Sequence, residues 1–471
     1  MSTRAAPLVV GAGPAGVRAA DALVKAGLRP LVVDEAPACG GQIYRQPPVA
    51  DGRSVRARYG SESAKAVRLH RDFAALADLI DYWPNGLVWN LRDGIADIAV
   101  GGSDRQIFNR QVQYDGLILA TGATDRVLPI PGWTLPGVFT LGAAQIALKA
   151  QGCAIGARVV CVGSGPLLYL VAWQYRKAGV AVVAVLDTAP LSAKRHLLRG
   201  LPFAPAIVLR GLRMAAELKL RGTALHHGVE NVRIEGGARV ERIAWRQRGR
   251  DESLACDGIG YGLGLRPETQ LADLAGCAFR FDRRDRSWLP QRDASGRGSV
   301  PCVYLAGDGA GIAGADAAER AGELAALALL QDRGLPPAAP RMAELERQLK
   351  RSDRFRDVLE AAFPYPAHWS RQLAGDTLVC RCEEVRVDEA RRAISDYSLT
   401  EVNRFKAISR IGMGRCQGRV CGAAAAELLA HETGQHIAAV GRLRTQPPVK
   451  PIPFTMNTSS EPGEPRHAPA H

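Results

Sequence analysis

The chain has 471 residues, of which 47% are hydrophobic and 23% charged, a composition typical of globular proteins at a length of about three domains. The net charge is +14, but the arginines are scattered and only 6% of residues are aromatic, which argues against a nucleic-acid partner. No apolar run reaches the ~18 residues of a transmembrane helix, and the first residues leave no room for a signal peptide. We therefore expect a cytoplasmic protein, at most peripherally attached to the inner membrane.

A dinucleotide-binding signature opens the chain. The apolar run Leu8–Val10 predicts a strand, and a helical pattern and a second short strand follow the loop Gly11-Ala12-Gly13-Pro14-Ala15-Gly16. In this motif the glycines allow a tight turn, close approach to a pyrophosphate and close packing of the helix, whose N-terminus favours phosphate. The ribose acceptor remains open, because counting forward from the loop favours Asp34 and counting back from the next motif favours Glu35.

The next motif, Gly40-Gly41-Gln42, resembles the FAD-binding half of the thioredoxin reductase and glutathione reductase superfamily. Two later segments also fit, the Ala-Thr-Gly at 120–122 and the Gly-Asp at 307–308. The resemblance implies a helix over Gly309–Glu323 aimed at the isoalloxazine, although Asp308 alone is equally compatible with a simple helix cap. The implied FAD-binding residues are Gly11, Gly13, Pro14, Ala15, Gly16, Asp34, Glu35, Gly41, Gln42, Thr121, Gly122, Gly307 and Asp308.

A second glycine loop, Gly163-Ser164-Gly165-Pro166-Leu167-Leu168, follows another apolar strand. Its third glycine is replaced by Leu168, which we expect to separate helix from strand at the phosphate site. Three interpretations stay open: a site for NAD(P), a site for another adenine nucleotide such as ATP, or a fold that binds no nucleotide. Gly163, Gly165 and the strand-terminal Asp187 are the residues of that site.

Four of the ten cysteines form a cluster near the C-terminus, and the sequence has no Cys-x-x-Cys that could exchange electrons with a flavin. Their spacings are C-x-C and C-x₄-C, compatible with an iron–sulfur centre, with zinc, or with no metal. The arrangement resembles the bacterioferritin-associated-ferredoxin-like domain, which implies a [2Fe–2S] cluster. The ligands implied are Cys380, Cys382, Cys416 and Cys421, whereas the other six are expected to be buried small hydrophobic residues.

The C-terminal region suggests short helices around these cysteines. A linker at Leu335–Pro340 precedes an amphipathic helical connector. Helices are predicted over Val387–Ile394, after a capping box at Ser398–Glu401, and over Ala423–Ala430. His226-His227 is expected to be structural, and residues after about 454 are expected to be disordered.

Taken together, residues 7–453 resemble the alpha subunits of multi-subunit amine dehydrogenases, a group that includes opine oxidase, D-hydroxyproline dehydrogenase, dye-linked proline dehydrogenase and hydrogen cyanide synthase. The resemblance implies an electron-carrying oxidoreductase subunit without a certain catalytic residue of its own. Its partner would be a beta subunit of the D-amino-acid-oxidase type carrying FAD, sometimes with a small [2Fe–2S] gamma subunit, and a quinone or other acceptor would receive the electrons. The alternatives are an NAD(P)H-dependent flavin reductase and a non-catalytic nucleotide-binding scaffold.

The expected fold is α/β, with two interleaved Rossmann-like dinucleotide-binding domains and a small helical [2Fe–2S] domain. The predicted boundaries are residues 1–123 with 267–335 for the FAD domain, 124–266 for the NAD(P)-like domain, 336–375 for the connector, 376–445 for the [2Fe–2S] domain, and 446–471 for a Pro-rich tail.

Overall fold

A computed structural model of the chain describes residues 6–48, 52–101, 107–336, 338–366 and 369–453. The tail after residue 453, where disorder was predicted, lies outside the described residues. The chain forms two compact units. The first contains residues 1–123, 267–352 and 445–471, and the second contains 124–266 and 353–444. Within the described ranges, no helix combines the length and the apolar character that crossing a bilayer would require.

The strands are short and mostly apolar. In chain order they are β1 (Ala6–Val10), β2 (Leu31–Asp34), β3 (Asp81–Pro84), β4 (Gly86–Arg92), β5 (Ile95–Gly101), β6 (Ile107–Leu119), β7 (Ala123–Asp125), β8 (Val138–Thr140), β9 (Arg158–Ser164), β10 (Ala181–Asp187), β11 (Ala224–His227), β12 (Glu230–Glu235), β13 (Arg242–Gln247), β14 (Arg250–Ala255), β15 (Gly258–Leu263), β16 (Leu265–Pro267), β17 (Phe279–Asp282), β18 (Ser287–Pro290), β19 (Val303–Leu305), β20 (Leu378–Cys380) and β21 (Val385–Arg386).

The helices lie between groups of strands and dominate the C-terminal part of the chain. They are α1 (Pro14–Lys25), α2 (Val55–Tyr59), α3 (Ser63–Ala74), α4 (Leu141–Ala150), α5 (Pro166–Lys177), α6 (Pro205–Leu220), α7 (Gln270–Leu274), α8 (Ala315–Asp332), α9 (Ala339–Ala362), α10 (Val387–Asp396), α11 (Val402–Ser409) and α12 (Gly422–Glu432).

The first unit is organised by a seven-stranded sheet in the order β3-β2-β1-β6-β5-β4, with β19 also paired to β6. Strands β1, β2, β3, β19 and the end of β6 run parallel, whereas β4, β5 and the start of β6 are antiparallel. The central parallel strands are continuous Val/Leu/Ile runs because helices cover both faces of such a sheet. Leu8, Val9, Ile118 and Leu119 are at most 3% exposed.

The second unit contains a parallel sheet in the order β11-β10-β9-β15-β8 and an antiparallel sheet of β12, β13 and β14. Helices α10 to α12, with the small β20–β21 pair, complete this unit. The mixed α/β architecture with two Rossmann-like sheets and a helical C-terminal domain confirms the predicted fold class.

The predicted connector is the 24-residue helix α9. Its first part contributes the buried Met342 and Leu345 to the core of the first unit. Phe355 and Val358, 8% exposed each, belong to the part of α9 in the second unit. Apolar residues are therefore buried at both ends of α9.

Two helix starts differ from the prediction. Helix α11 begins after Glu401, whose carboxylate accepts from the backbone N–H groups of Asn403 and Arg404, so Glu401 itself is the N-cap and a capping box starting at Ser398 was wrong. An acidic cap can satisfy two end N–H groups at once, and it also favours the positive helix end. The helix expected from Gly309 begins at Ala315, after a short 3₁₀ turn at Gly307–Ala310.

Candidate functional site

The first glycine loop is shaped for close backbone approach. Gly11 has a φ of +105°, and its carbonyl oxygen lies where a Cβ on Gly16 would have to be. A Cβ on Gly41 would lie 3.0 Å from the Cα of Gly13, so the two glycine motifs meet through bare backbone. The Gly40 N–H donates to the carbonyl of Ala12 at 2.8 Å, which joins the motifs directly. Only residues without a side chain permit this contact.

The two candidate ribose acceptors have different surroundings. Asp34 lies against the glycine loop, with one oxygen accepting from the Ala12 N–H at 2.5 Å and the other from the Ala36 N–H at 2.7 Å. Burial raises the pKa of Asp34, although both backbone hydrogen bonds oppose that shift. Glu35 points elsewhere and forms an ion pair with Lys450 of the C-terminal segment. Of the two carboxylates, Asp34 is therefore the one at the loop.

The later FAD motifs lie at the same edge of the sheet, because β1, β6 and β19 are parallel neighbours. The Thr121 hydroxyl donates to the Glu268 carbonyl at 2.6 Å, and the Glu268 N–H donates to the Gly122 carbonyl at 3.0 Å. A Cβ on Gly309 would overlap the Thr121 hydroxyl, so the two segments touch.

Asp308 holds the backbone before α8. One of its oxygens accepts from the N–H groups of Ala313 at 2.8 Å and Gly314 at 3.0 Å, immediately before the helix begins at Ala315. These bonds hold the loop that precedes α8, but Asp308 is not the helix cap, because the N-cap residue is Gly314 and no side chain caps the first turn. Gly307, with a φ of +68°, approaches the side chains of Ala15 and Ala318. Gln42, in contrast, is exposed.

The second glycine loop keeps its turn but has a different interior. Gly163 has a φ of +144°, and the Gly262 carbonyl fills the place of its missing side chain, whereas Gly165 (φ +107°) faces open space. Leu168 is fully buried in a hydrophobic core with Val159, Cys161 and Tyr175. The residue that replaces the third glycine thus acts as a core side chain between α5 and the sheet.

Asp187, the candidate ribose acceptor of the second loop, is fully buried and already hydrogen-bonded. One oxygen accepts from the Ala189 N–H at 2.9 Å, and the other accepts from the Tyr169 hydroxyl and the Lys194 ammonium, each at 2.7 Å. Lys194 also donates to the Ala362 carbonyl at 3.1 Å and lies 3.5 Å from the centre of the Phe363 ring. Burial lowers the pKa of Lys194, and the charge of Asp187 opposes the shift. Both oxygens of the Asp187 carboxylate therefore already accept hydrogen bonds from groups of the chain itself.

The four predicted cluster cysteines come together in the second unit. The Cys421 thiol is hydrogen-bonded to the sulfurs of Cys380 and Cys416, which lowers the pKa of Cys380 to about 6 and of Cys416 to about 5. The same bonds raise the pKa of Cys421, and partial burial raises that of Cys382, whose sulfur contacts Cys416. Among the described residues no group of three or more His, Cys, Asp or Glu side chains is arranged to hold a single metal ion. The four sulfurs are linked to one another through Cys416 and Cys421.

The surroundings of the thiols fit an iron–sulfur cluster chemically. Backbone N–H groups of Gly412, Cys382 and Glu383 hydrogen-bond the Cys380 sulfur, and those of Gly418 and Val420 hydrogen-bond the Cys416 sulfur. Such bonds to sulfur are one of the means by which proteins stabilise and tune these clusters. Gly414 allows the two ligand loops to meet, because a Cβ there would lie 2.6 Å from the Cβ of Cys382.

Trp133 anchors the first cysteine loop to the second dinucleotide fold. Its indole N–H donates to the Leu378 carbonyl at 2.8 Å, two residues before Cys380, and the Arg381 guanidinium lies 5.9 Å from the centre of its ring. The indole N–H of Trp369 makes a similar hydrogen bond, donating to the Pro129 carbonyl at 2.7 Å. The sequence patterns gave Trp133 no role, and the only available signal was that the N–H of a buried indole needs a hydrogen-bond acceptor.

The remaining cysteines and the histidine pair have structural surroundings. Cys39, Cys161, Cys256 and Cys277 are buried as expected, but Cys153 and Cys302 are exposed, so their predicted burial was wrong. Cys153 lies in the connection between α4 and β9, and Cys302 in the connection between β18 and β19, where side chains are more often exposed. His226 bonds the Gln247 side chain at 2.9 Å and contacts the Trp245 ring edge-on.

Comparison with known proteins agrees with this arrangement. Residues 6–322 match the family of pyridine nucleotide-disulphide oxidoreductases, and residues 378–431 match the BFD-like [2Fe-2S] binding domain. The chain is 40% identical to the A subunit of opine oxidase from Rhizobium meliloti over 460 residues, covering 94% of this chain and 85% of the relative. It belongs to the family of opine oxidase A subunits.

The hydrogen cyanide synthase subunit HcnB of Pseudomonas protegens is a more distant member, at 34% identity with 97% of this chain and 98% of the relative covered. In structure the chain resembles L-proline dehydrogenase from P. horikoshii, with a TM-score of 0.68 and 19% identity, over 96% of this chain and 78% of that one. The chain is thus a flavin-dependent oxidoreductase subunit whose cofactors are FAD and a [2Fe–2S] cluster.

Proposed function

We propose that this chain is the electron-transferring subunit of a complex that oxidises CH–NH bonds in an amine or imino acid. A separate flavoprotein subunit of the D-amino-acid-oxidase type removes the electrons from the substrate, and this chain delivers them to a quinone or another acceptor. A small additional [2Fe–2S] subunit completes some complexes of this kind. The names opine oxidase and L-proline dehydrogenase among the similar proteins support this class of substrate.

The observation that carries the proposal is the group of four contacting cysteines, which is surrounded by backbone N–H groups. In the same chain Asp187, the acid of the second dinucleotide fold, is already paired with Lys194. FAD can exchange electrons in pairs or singly and a [2Fe–2S] cluster only singly, so a chain that binds both can link two-electron chemistry to one-electron carriers. Cys380, Cys382, Cys416 and Cys421 are the ligands we assign to the cluster. Trp133 keeps the first pair in place.

For FAD we assign the first glycine loop and the segments that meet it. Gly11, Gly13, Gly16 and Gly41 offer the bare backbone that a pyrophosphate can approach, with the N-terminus of α1 behind them. Pro14 and Ala15 begin that helix. Asp34 is the better placed acceptor for the ribose, since it lies at the loop while Glu35 pairs with Lys450.

For the flavin end of the cofactor we assign Thr121, Gly122, Gly307 and Asp308, whose segments contact one another. Asp308 acts there by fixing the backbone that leads into α8. The dipole of that helix favours negative charge next to its first turn. These residues position the cofactor and set its electrostatic surroundings, while substrate-specific groups belong to the partner subunit.

The second dinucleotide fold does not support the NAD(P)H-dependent reductase alternative. An acid that receives a ribose must expose its oxygens, but Asp187 is fully buried and accepts from Tyr169, Lys194 and Ala189. Its role here is to neutralise a buried lysine.

Replacement of one cluster ligand tests the proposal. Cys416→Ser should abolish the electron paramagnetic resonance signal of the dithionite-reduced chain while leaving its FAD content unchanged. Cys153→Ser, at an exposed cysteine of the same unit, is the control and should keep both. A normal signal in Cys416→Ser would remove the ligand assignment, and a wild-type chain without flavin absorbance would defeat the electron-transfer function as a whole.

A further inference from the structure

An unusual concentration of exposed apolar side chains lies in one part of the second unit. Fifteen large hydrophobic side chains are exposed among the described residues, and seven of them fall within the 30 residues from Leu191 to Leu220. This stretch comprises the 3₁₀ segment Leu191–Gly200 and the helix α6. Scattered exposed apolar residues are normal in proteins, but a dense group of them marks an interaction site.

Helix α6 carries two separate apolar faces. Met214 and Leu218, at 7% and 0% exposure, point into the unit. On the opposite side Leu209, Leu212 and Leu220 are 61%, 49% and 86% exposed. With 100° of rotation per residue, these three and the exposed Ala216 fall in one narrow stripe along the helix. We call these four residues the α6 stripe.

The stripe is bordered by positive charge. The sequence from Thr188 to Arg221 contains seven lysines and arginines and one acidic residue, Glu217, which is paired with Arg213. Arg195 and Arg199 are exposed in the 3₁₀ segment, and Lys219 and Arg221 are exposed on either side of Leu220 in the sequence. Two copies of this chain docked through the stripe would bring these like charges together, which disfavours self-association. A partner with carboxylates around an apolar ridge would be attracted instead.

The shape of the stripe favours a polypeptide over a bilayer. It is one residue wide, has Ala216 at its middle, and its apolar positions are spaced by three and four residues, as in helices that pack against another helix. None of its members is a tryptophan or tyrosine, the residues that bilayer-associated faces favour. The small Ala216 allows close approach of a partner helix.

We infer that the α6 stripe, with its basic border, is the docking surface for another subunit of the complex, which contributes an amphipathic helix with an apolar ridge and acidic flanks. This inference rests on the proposed function, because that function requires a second polypeptide to supply electrons. It assigns a role to a surface outside both cofactor sites.

The experiment uses the full chain co-expressed with the genes that flank its own, and the double variant Leu212→Glu/Leu220→Glu. Both positions are exposed, so the variant keeps its buried face, and its FAD and iron–sulfur absorbance report correct folding. We expect at least about tenfold less co-purifying subunit, measured by light scattering on the tag-purified complex, because central apolar contacts dominate such interfaces. Val67→Glu/Leu79→Glu is the control, at 48% and 49% exposure in the first unit, and should keep the complex intact.

A second variant isolates the charged border. Lys219→Glu/Arg221→Glu leaves the leucines in place and should weaken the complex more at low salt than at high salt. An undiminished complex in Leu212→Glu/Leu220→Glu would overturn the docking surface. A membrane role would replace the docking surface under two conditions. The wild type, but not the Leu212→Glu/Leu220→Glu variant, would float with phosphatidylglycerol–phosphatidylethanolamine vesicles, and that variant would keep its complex intact. A wild-type chain that purifies without any second subunit would instead overturn the proposed function.

Discussion

The two dinucleotide-binding folds of this chain share a glycine-loop pattern but differ in two features of the site. In the first, the third glycine is Gly16 and the acid at the end of the second strand, Asp34, meets the glycine loop. In the second, Leu168 takes the place of the third glycine and packs in the core, and Asp187 forms an ion pair with the half-buried Lys194. Both folds keep the strand, the turn and the helix. The comparison shows that a fold of this topology can act as a structural support when the acid that ends its second strand is buried and paired with a lysine of the same chain.

The largest expected effect is at Gly16 in the first loop. Gly16→Val should leave the purified chain almost free of FAD, because even a Cβ there would overlap the Gly11 carbonyl. The flavin absorbance per chain measures this. Gly211→Val serves as the control, since no atom lies within 4 Å of a Cβ built at Gly211, and it should keep its flavin. A normal FAD content in Gly16→Val would show that the first loop does not need a glycine at its third position.

The next effect concerns the second fold. Asp187→Asn should lower the free energy of unfolding by about 3 kcal/mol, because it leaves the half-buried Lys194 charge without its fully buried partner. FAD content should stay normal, since the first fold is separate. Urea unfolding followed by tryptophan fluorescence gives the value. Asp21→Asn removes an exposed ion pair with Lys25 and should cost less than about 1 kcal/mol. Equal effects of the two variants would contradict a structural role for Asp187.

The ribose acceptor can be resolved by a pair of neighbouring substitutions. Asp34→Ala should weaken FAD binding about 10- to 100-fold, which corresponds to about 1.4–2.8 kcal/mol. Glu35→Ala removes only the pair with Lys450 and should change the affinity by about twofold or less. Reconstitution of the apoprotein with FAD, followed by flavin fluorescence, measures both. The reverse order would place the ribose at Glu35.

The smallest effect is expected at the anchor of the cluster loop. Trp133→Phe keeps a ring beside Arg381 but loses the hydrogen bond to the Leu378 carbonyl, a change of about 1 kcal/mol. Iron should be lost to a chelator about fivefold faster, while the resonance signal of the remaining cluster is unchanged in shape. Trp89→Phe, in the first unit, removes a comparable indole bond to Asn109 and should leave the rate unchanged. An unaltered rate of iron loss in Trp133→Phe would show that the Trp133 hydrogen bond does not stabilise the cluster.

Short-range patterns predicted much of this molecule. The two glycine loops and the four cysteines carry their chemistry in residue type and spacing, so the α/β fold class, the FAD domain and the iron–sulfur domain followed from the sequence. The helix starts near Ala315 and Glu401 were missed because several nearby residues could serve as caps. The burial of Asp187 could not be predicted, because its partner Lys194 lies against the ring of Phe363, which comes from a distant part of the chain.

The central claim is that electrons reach this chain from a partner subunit and not from a nicotinamide. Anaerobic mixing of the purified complex with NADH or NADPH tests it directly, with the visible flavin absorbance and the resonance signal of the cluster as readouts. The account predicts that neither changes over many seconds, whereas the complex's own amine or imino-acid substrate reduces both. Rapid bleaching of the flavin by NADH or NADPH, in a complex whose Asp187 is still buried, would contradict it.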